Sequence, residues 1–287
     1  MQNWPKKNGK VFLREAIAAP PGCSFVSIDF GQIEYRVIAA LSKDPVMIEA
    51  IINGLDIHGW WANRLDELFP GRFLAKPTHA CTKTDTTQCS PMCKKCEFKE
   101  FRNKCKNGLV FPLCFGSTYD NVGVNLGITD HSMTNLIGEE FWKKHQGVQN
   151  WQQALLHEMD GRGYILNGFK RRFRAPLTRN QIINYPIQST ASDFVTTAVG
   201  RLVKKSVKEN IPYIRPRINI HDDLSFYIPT HLIEEALMII LPEMLYTPEY
   251  EFLPVPLLAE VSIGDHWGNL VELGNFSSEQ FYGIPHP

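Results

Sequence analysis

The sequence predicts an α+β fold: an antiparallel sheet built from both ends of the chain, with a helical subdomain inserted between them. Three observations predict it. An apolar strand pattern, Ser24-Phe25-Val26-Ser27-Ile28-Asp29-Phe30, lies near the N-terminus. Strand patterns return near the other end, at residues 217–221, 224–228 and 257–263. Between them apolar residues recur at helical spacing instead of alternating.

The first strand follows the turn Pro20-Pro21-Gly22, and an amphipathic helix runs from about Gln32 to Ser42. A second helix begins near Pro45 and stops at Gly54, a residue suited to a C-terminal cap. A third holds Trp60, Trp61 and Leu65. From Phe69 to Glu97 the apolar period vanishes and Thr, Pro, Lys and Cys take over, the mark of an insertion. Helical periodicity returns from Phe98 to the segment around Tyr119, and two more helices follow near 133–145 and 148–160. The basic loop Lys170-Arg171-Arg172-Phe173-Arg174 leads into a long helix whose regular part is expected after Pro186. The strands at 217–221 and 224–228 then flank Asp222-Asp223, a hairpin with two acids at or beside its tip. A helix near 232–245 and the strand at 257–263 close the fold. No internal repeat is visible.

The chain has 287 residues, 44% of them hydrophobic, enough for one large core or two modest ones. Lys+Arg and Asp+Glu both number 30, so no basic excess announces nucleic acid, although a basic groove can coexist with an acidic metal site. No stretch approaches the roughly 20 apolar residues of a membrane helix, so no membrane partner is expected. Met1-Gln2-Asn3-Trp4-Pro5-Lys6-Lys7 lacks the apolar core of a signal peptide, and a cytoplasmic location is the default expectation. The seven cysteines are odd in number and clustered, which in a reducing compartment reads as metal ligation before disulfides.

Asp29 ends an apolar strand, and Asp222 and Asp223 sit at a strand junction far away in sequence. Carboxylates from two neighbouring strand ends can share hard cations, because Mg²⁺ prefers oxygen ligands and binds through one or two carboxylates plus substrate phosphates. Two such ions can activate an attacking oxygen and stabilise a leaving one. An isolated Asp-Asp at a hairpin is most often just a turn. Its surroundings decide otherwise here.

Asp29-Phe30-Gly31-Gln32-Ile33-Glu34-Tyr35-Arg36 resembles motif A of family A DNA polymerases, the bacterial DNA polymerase I family. Ala40-Leu41-Ser42-Lys43-Asp44-Pro45 and Gly54-Leu55-Asp56-Ile57-His58 resemble the segments that follow it. His221-Asp222-Asp223-Leu224 is similar to motif C, with Asp in place of a final Glu, and Asn184-Tyr185-Pro186-Ile187-Gln188-Ser189-Thr190-Ala191 resembles the family's Asn-x-Pro-Ile-Gln-Gly-Thr-Ala. The resemblance runs in order from Gln2 to about Trp267. It implies a polymerase palm at 1–43 and 179–287 and an inserted helical fingers subdomain at 44–178, with a Cys-rich insertion at 70–105. It implies template-directed addition of deoxynucleotides to a primer 3′-hydroxyl, with primer–template DNA and dNTPs as partners and two Mg²⁺ ions as cofactors.

Roles follow from the resemblance. Asp29 and Asp222 would be the catalytic Mg²⁺ ligands and Asp223 an auxiliary carboxylate of shorter reach. Glu34 would block a ribose 2′-hydroxyl, and as a first-turn helix acid it also suits the helix dipole. Gln32 and His58 would face the nucleotide. Arg179, Asn184, Gln188 and His221 would touch primer or template near the terminal pair, where Asn and Gln suit minor-groove acceptors shared by all base pairs.

Motif B of the family is a helix with Arg, Lys, an aromatic and Tyr at successive spacings of four. Arg102 and Lys106 have that spacing, and so do Phe111, Phe115 and Tyr119, but the second set is shifted by one residue. An extra step turns the two stripes apart by about 100°; Pro112 is expected to kink or break the helix and so restore the alignment. Phe115, followed by Gly116-Ser117-Thr118-Tyr119, is the preferred stacking ring, with Phe111 the other candidate. Arg102, Lys106 and Tyr119 would complete the nucleotide site. Lys170, Arg171 and Arg172, in the basic loop, would contact backbone phosphate without sequence preference.

Cys89-x₃-Cys93-x₂-Cys96 has the local spacing of a metal knuckle. Cys81, Cys89, Cys93 and Cys96 are the expected ligands of a structural Zn²⁺, with His79 or Cys105 able to replace one, and an iron–sulfur cluster as the other four-cysteine option. A short polar stretch with no core needs a staple to fold. Cys23 and Cys114 lie in apolar contexts and read as buried thiols.

Met1-Gln2-Asn3-Trp4-Pro5 resembles a segment just before motif A. The expectation is a phage-type split polymerase, with the thumb and any 3′–5′ exonuclease on a separate chain that joins near residues 1–14. The competing readings are a non-catalytic replisome or DNA-binding subunit and a zinc-stabilised nucleic-acid module. Neither explains the intact Asp29 and Asp222.

Overall fold

The computed structural model describes residues 13–73, 97–246 and 253–282. The expected zinc ligands Cys81, Cys89, Cys93 and Cys96, their alternate His79, and most of the expected junction at 1–14 lie outside the described residues.

In chain order, strand β1 (Cys23–Phe30) is followed by helices α1 (Ile33–Ser42), α2 (Pro45–Ile52), α3 (Ile57–Leu68) and α4 (Glu97–Cys105). A π turn (Lys106–Val110) joins α4 to α5 (Phe111–Cys114), and α6 (Tyr119–Leu126), α7 (His131–Lys144) and α8 (Gln146–Arg162) follow. Strands β2 (Tyr164–Leu166) and β3 (Arg172–Arg174) precede the long α9 (Arg179–Lys208). Strands β4 (Ile218–Ile220) and β5 (Asp223–Pro229), helix α10 (Ile233–Leu245), strands β6 (Leu258–Gly264) and β7 (Val271–Ser277) and the short α11 (Glu279–Tyr282) complete the chain. The mixed helical and antiparallel-sheet class is as the sequence predicts. Among the described residues no helix is long and apolar enough to cross a membrane.

Two compact units emerge, one of residues 1–37, 167–171 and 187–287, the other of residues 38–166 and 172–186. The first is built on a sheet of order β4-β5-β1-β6-β7, antiparallel throughout. The central strand β1 buries Val26, Ile28 and Phe30 completely on one face, shared with Leu224, Phe226 and Val261 of the flanking strands, and Phe25 on the other face, packed with Ile220 and Trp267. Each such side chain contributes roughly 1.5–3 kcal/mol by leaving water. Strand β7 departs from the sequence reading, which closed the fold at 263. As an edge strand it exposes Val271 and Leu273 and shows no in–out alternation to read.

The second unit is helical. Its core gathers Trp61, Leu65, Phe141 and Val148, all fully buried. Helix α2 ends in a Schellman motif: Gly54, at φ 64°, donates to Ile51 O at 3.2 Å and Leu55 to Ala50 O at 2.8 Å, so the predicted glycine cap is present. Two further departures concern local geometry. The stretch read as a basic loop forms the two-stranded hairpin β2–β3, with Leu166 opposite Arg172. Helix α9 does not wait for Pro186 but starts at Arg179 and carries that proline inside it. It starts early because Thr178 and Gln181 form a reciprocal cap, Gln181 Oε1 accepting from Thr178 N at 2.9 Å and Thr178 Oγ1 from Gln181 N at 3.3 Å.

Candidate active site

The sheet brings the three sequence-nominated carboxylates together and adds a fourth. Asp29 of β1 lies directly opposite Asp223 of β5 and Glu260 of β6. Direct cross-strand partners share a face, so the three acids form one row across the three strands. Two residues along, Ser225, Ser27 and Ser262 form a second row on the same face. Asp222 is in the β4–β5 turn, and its carbonyl accepts from Phe30 N at 3.1 Å, which ties the turn to the end of β1. A groove of about 840 Å³ is lined by Arg14, Ser27, Asp29, His221, Asp222, Asp223, Glu260, Ser262 and Trp267, among others.

The carboxylates are not equivalent. Asp223 accepts hydrogen bonds from the hydroxyls of Ser27 and, at 3.0 Å, Ser225. Burial pushes its carboxyl above the usual range; the two hydroxyls oppose that rise and the charge of Asp222 adds to it. Asp223 is therefore turned into the serine row. Glu260 is exposed. Nothing in the sequence pattern singled it out: its place is set by register between strands from opposite ends of the chain.

A second groove, of about 700 Å³, is lined by Ile33, Glu34, Gln188, Ala191, Ser192, Val195, Asn219, His221 and Asp222. His221 and Asp222 border both grooves. The sheet unit thus gathers Glu34, Gln188, His221 and Asp222, four residues nominated from three separate stretches of sequence. Backbone strain collects here as well. Gln32, at φ 53°, and His221, at φ 56°, take the left-handed conformation without being glycine. Gln32 is exposed in the turn between β1 and α1. The buried Arg36 holds that turn, its guanidinium donating to the carbonyls of Gly31 at 3.0 Å and Pro256. Burial draws the pKa of Arg36 down to about 10, which leaves it charged at neutral pH.

The oxygen donors of Asp29 and Asp222 at adjoining strand ends have the chemistry that Mg²⁺ takes. Among the described residues no three His, Cys, Asp or Glu side chains converge to cage a metal alone.

In the helical unit, the one-residue offset between the two motif-B stripes has a specific solution. The chain does not break at Pro112. It takes a π turn at Lys106–Val110, in which Phe111 N donates to Lys106 O, and stays helical through Pro112. A π turn absorbs one extra residue, so Arg102, Lys106, Phe111 and Phe115 come onto one stripe. The Lys106 ammonium lies 5.5 Å from the centre of the Phe111 ring. Phe111 and Phe115 stack at 5.6 Å and 13°. Phe111 also has the His58 ring 5.7 Å away, so it has two ring neighbours. Gly116 takes φ 83°, and a side chain there would meet Ile183 Cδ1 at 2.6 Å.

Two nucleotide-site candidates are placed differently from expectation. Arg102 forks onto Asp56, at 2.5 and 2.8 Å, with Asp56 almost fully buried. Its guanidinium is committed to the start of α3. His58 is 1% exposed. Burial pulls its pKa to about 3, helped by the charges of Arg102 and Lys106, so it is neutral, with its ring beside Phe111. Sequence reasoning missed this because spacing alone does not tell an exposed helix face from a buried one. Tyr119 packs its ring against Gly138, where a side chain would come within 2.3 Å of it. Cys105 is buried and its thiol pushed up to about 12, and Cys114 is buried as expected, whereas Cys23 is partly exposed.

The basic candidates Lys170, Arg172, Arg174 and Arg179 are all exposed. Arg171 is exposed but paired with Asp193. Arg162 and Arg172 both lie against Tyr164, at 4.6 and 4.8 Å from the ring centre. Asn184 and Gln188 are one turn apart on α9; Asn184 Oδ1 is buried with no hydrogen-bond partner among the described residues.

The family model for DNA polymerase family A matches residues 1–73 and 79–269. The chain is similar to DNA polymerase I of Chloroflexus aurantiacus, 27% identical over 271 residues that cover 91% of this chain and 26% of the relative. Against DNA polymerase I of Aquifex aeolicus the identity is 26%, covering 89% of this chain and 41% of the relative. Against the DNA polymerase of Mycobacterium phage D29 it is 29%, covering 76% and 31%. The fold is similar to that of the POL domain of Pol1 from M. smegmatis, solved in complex with DNA primer-template and dNTP: TM-score 0.74 at 21% identity, covering 93% of this chain and 44% of that one. The chain therefore spans less than half the length of each of these relatives.

Proposed function

The chain belongs to DNA polymerase family A, and from that premise we propose that it carries out template-directed addition of deoxynucleotides to a primer 3′-hydroxyl. The observation that carries the reading is the junction of Asp29 with the His221-Asp222 turn, bordered by a groove holding Glu34 and Gln188. Asp29 and Asp222 would hold two Mg²⁺ ions, which neutralise charge at the attacking and leaving oxygens.

The chain's own residues do the rest of the work in this reading. Asp223, held by Ser27 and Ser225, fixes the end of β5 beside Asp29 and acts as a supporting carboxylate. Glu34 narrows the space at the sugar's 2′ position and so selects deoxynucleotides. Gln188 and His221 border the same groove, where they contact the primer terminus; Gln188 brings an amide suited to acceptors shared by every base pair. Asn184 and Arg179 extend that contact along α9, and Gln32 faces the nucleotide from the strained turn after β1. In the helical unit Lys106 supplies charge to the triphosphate, and Phe115 stacks on the incoming base. Phe115 is favoured over Phe111 because Phe111 already has two ring neighbours, His58 and Phe115. Tyr119 closes the stripe. Arg102 acts through Asp56 by fixing α4 to the start of α3. The exposed Lys170, Arg172 and Arg174 bind backbone phosphate, with salt-dependent affinity.

Structural zinc at Cys81, Cys89, Cys93 and Cys96 is a proposal from spacing alone; about one zinc per purified chain by elemental analysis supports it, and none, or iron, removes it. The test of the activity is primer extension by the purified chain with Mg²⁺ and dNTPs. Template-dependent extension that stops on Asp29→Ala supports the proposal. Extension unaffected by Asp29→Ala and Asp222→Ala, in protein free of contaminating polymerase, overturns it.

A further inference from the structure

The turn at residues 167–171 is held more firmly than a solvated loop needs. All five of its backbone N–H groups are used within the protein. Asn167 N donates to Arg171 O at 3.1 Å, and Lys170 N to Asn167 O at 3.0 Å. Gly168 N donates to Thr190 Oγ1 at 3.0 Å. Phe169 N and Arg171 N both donate to Asn167 Oδ1 at 2.9 Å. The other end of the same amide donates to Ser189 Oγ at 2.9 Å and Asp193 Oδ2 at 2.7 Å, both on α9. Asn167, Thr190 and Asp193 are at most 5% exposed. Phe169 adds an edge contact to the buried Phe194 at 5.5 Å.

This arrangement divides the labour among the cations of the turn. Anion-binding turns usually offer backbone N–H groups, and none is free here, so an anion must be met by side chains. The Arg171 guanidinium is tied through Nη2 to Asp193 Oδ1, and Asn167 takes the other oxygen of that carboxylate. Lys170 remains exposed. Its backbone is at φ 64°, a conformation glycine adopts freely and lysine does not. A side chain kept at such a position in a turn this well anchored points to a use for that side chain.

We propose that Asn167 and Asp193 are positioning residues that pin the 167–171 turn to α9, and that they make Lys170 its phosphate-contacting cation, with Arg171 serving as a structural tie. The proposal rests on the polymerase reading and refines it: three basic residues adjacent in sequence would not share one task. Neutral polar atoms of Asn167 would control an electrostatic contact made three residues away.

The test is the salt dependence of primer–template binding by the full chain, measured by fluorescence anisotropy, together with thermal melting. Each phosphate contact adds about 0.9 to the slope of log affinity against log salt for duplex DNA. Lys170→Gly should lower that slope by about one contact and leave the melting temperature unchanged or higher, because glycine relieves the left-handed backbone. Asn167→Ala should lower the slope equally although Lys170 is still present, and the double variant should be no weaker than Asn167→Ala alone. If Asn167→Ala does not fold, Asp193→Asn takes its place in the same comparison. An unchanged slope for Lys170→Gly overturns the proposal while leaving the polymerase reading intact. So does a pair of losses that multiply in the double variant, since independent effects share no contact. A wild-type chain without salt-dependent binding to primer–template overturns the polymerase reading, and this proposal with it.

Discussion

Phe111 N donates to the carbonyl of Lys106, five residues back, where an α-helix would use Phe115-style bonding to the fourth residue. That single bond settles the register of the whole stripe. An ideal helix would turn Phe111 and Phe115 about 100° away from Arg102 and Lys106. The π turn removes the difference, and it does so immediately before Pro112, whose missing N–H would in any case leave the carbonyl four residues back without its donor.

The two rings of the stripe should separate in their response to truncation. Phe115→Ala should raise KM for dNTP by an amount corresponding to about 1–3 kcal/mol of lost stacking, with little change in melting temperature. Phe111→Ala removes a ring in contact with both His58 and Phe115, and should show first as a stability loss of roughly 2–4 kcal/mol. Steady-state kinetics beside thermal melts read both. The opposite pattern would make Phe111 the stacking ring.

The three nominated carboxylates should rank by how each is held. Asp29→Ala and Asp222→Ala should abolish Mg²⁺-dependent extension with the fold retained by circular dichroism. Asp223→Ala should reduce extension less, because Ser27 and Ser225 turn that carboxylate into the sheet face. Single-turnover extension rates decide it. Equal losses at all three positions would show Asp223 to be a ligand on the same footing.

Much of this was legible because the informative residues sit at element ends. Asp29 closes an apolar strand and Asp222-Asp223 interrupts two others, so alternation located them. What sequence did not reveal depends on partners distant in the chain. Glu260 matters through its register with Asp29, which no local pattern encodes. Strand β7 lacks alternation because neither face is fully covered. The π turn is invisible since its residues, Lys106–Val110, fit an ordinary helix equally well. His58 and Arg102 are expected at the nucleotide from spacing, and the structure adds partners that spacing does not show, Phe111 beside the buried His58 and Asp56 paired with Arg102. Propensity does not report which side of a helix its neighbours cover.

Sugar discrimination should depend on Glu34. Its side chain lines the groove shared with Gln188, His221 and Asp222. Glu34→Ala opens space there, and the ratio of ribonucleotide to deoxynucleotide incorporation should rise by at least tenfold, a difference of about 1.4 kcal/mol. Parallel single-nucleotide extension assays measure it. An unchanged ratio with a lowered melting temperature would reduce Glu34 to a helix-end acid acting on the dipole of α1.

Stability of the helical unit should turn on Asp44, whose one carboxylate caps two helices. Oδ1 accepts from Met47 N at 2.9 Å in the first turn of α2, and Oδ2 accepts from Gly147 N at 3.0 Å in the first turn of α8. His145 Nδ1 lies 3.5 Å from Oδ1 and Trp61 Nε1 donates to His145 Nε2 at 3.3 Å, so the pair is continuous with the core. Gly147 is required by this closeness: a side chain there would meet Asp44 Cα at 2.6 Å. Burial alone would raise the Asp44 pKa, but the hydrogen bonds from His145 and from the backbone of Met47 and Val148 outweigh it and hold the carboxyl below its usual range. A pKa depressed on folding adds stability above the unfolded value, about 3.9 for Asp, and that stability is lost as pH falls through the folded value. Asp44→Ala should therefore cost about 3 kcal/mol at neutral pH, from two lost caps and the buried donors left behind, a fall of roughly 6–12 °C in melting temperature. Asp44→Asn keeps one acceptor but presents an amide where the other oxygen met an N–H. Its deficit against the wild type should be large at pH 7 and shrink below about pH 4, where the carboxylate of the unfolded wild-type chain begins to protonate while the folded one stays charged. Melting curves across that range test the sign, and a deficit that grows in acid would mean that the Asp44 carboxyl is neutral in the folded protein.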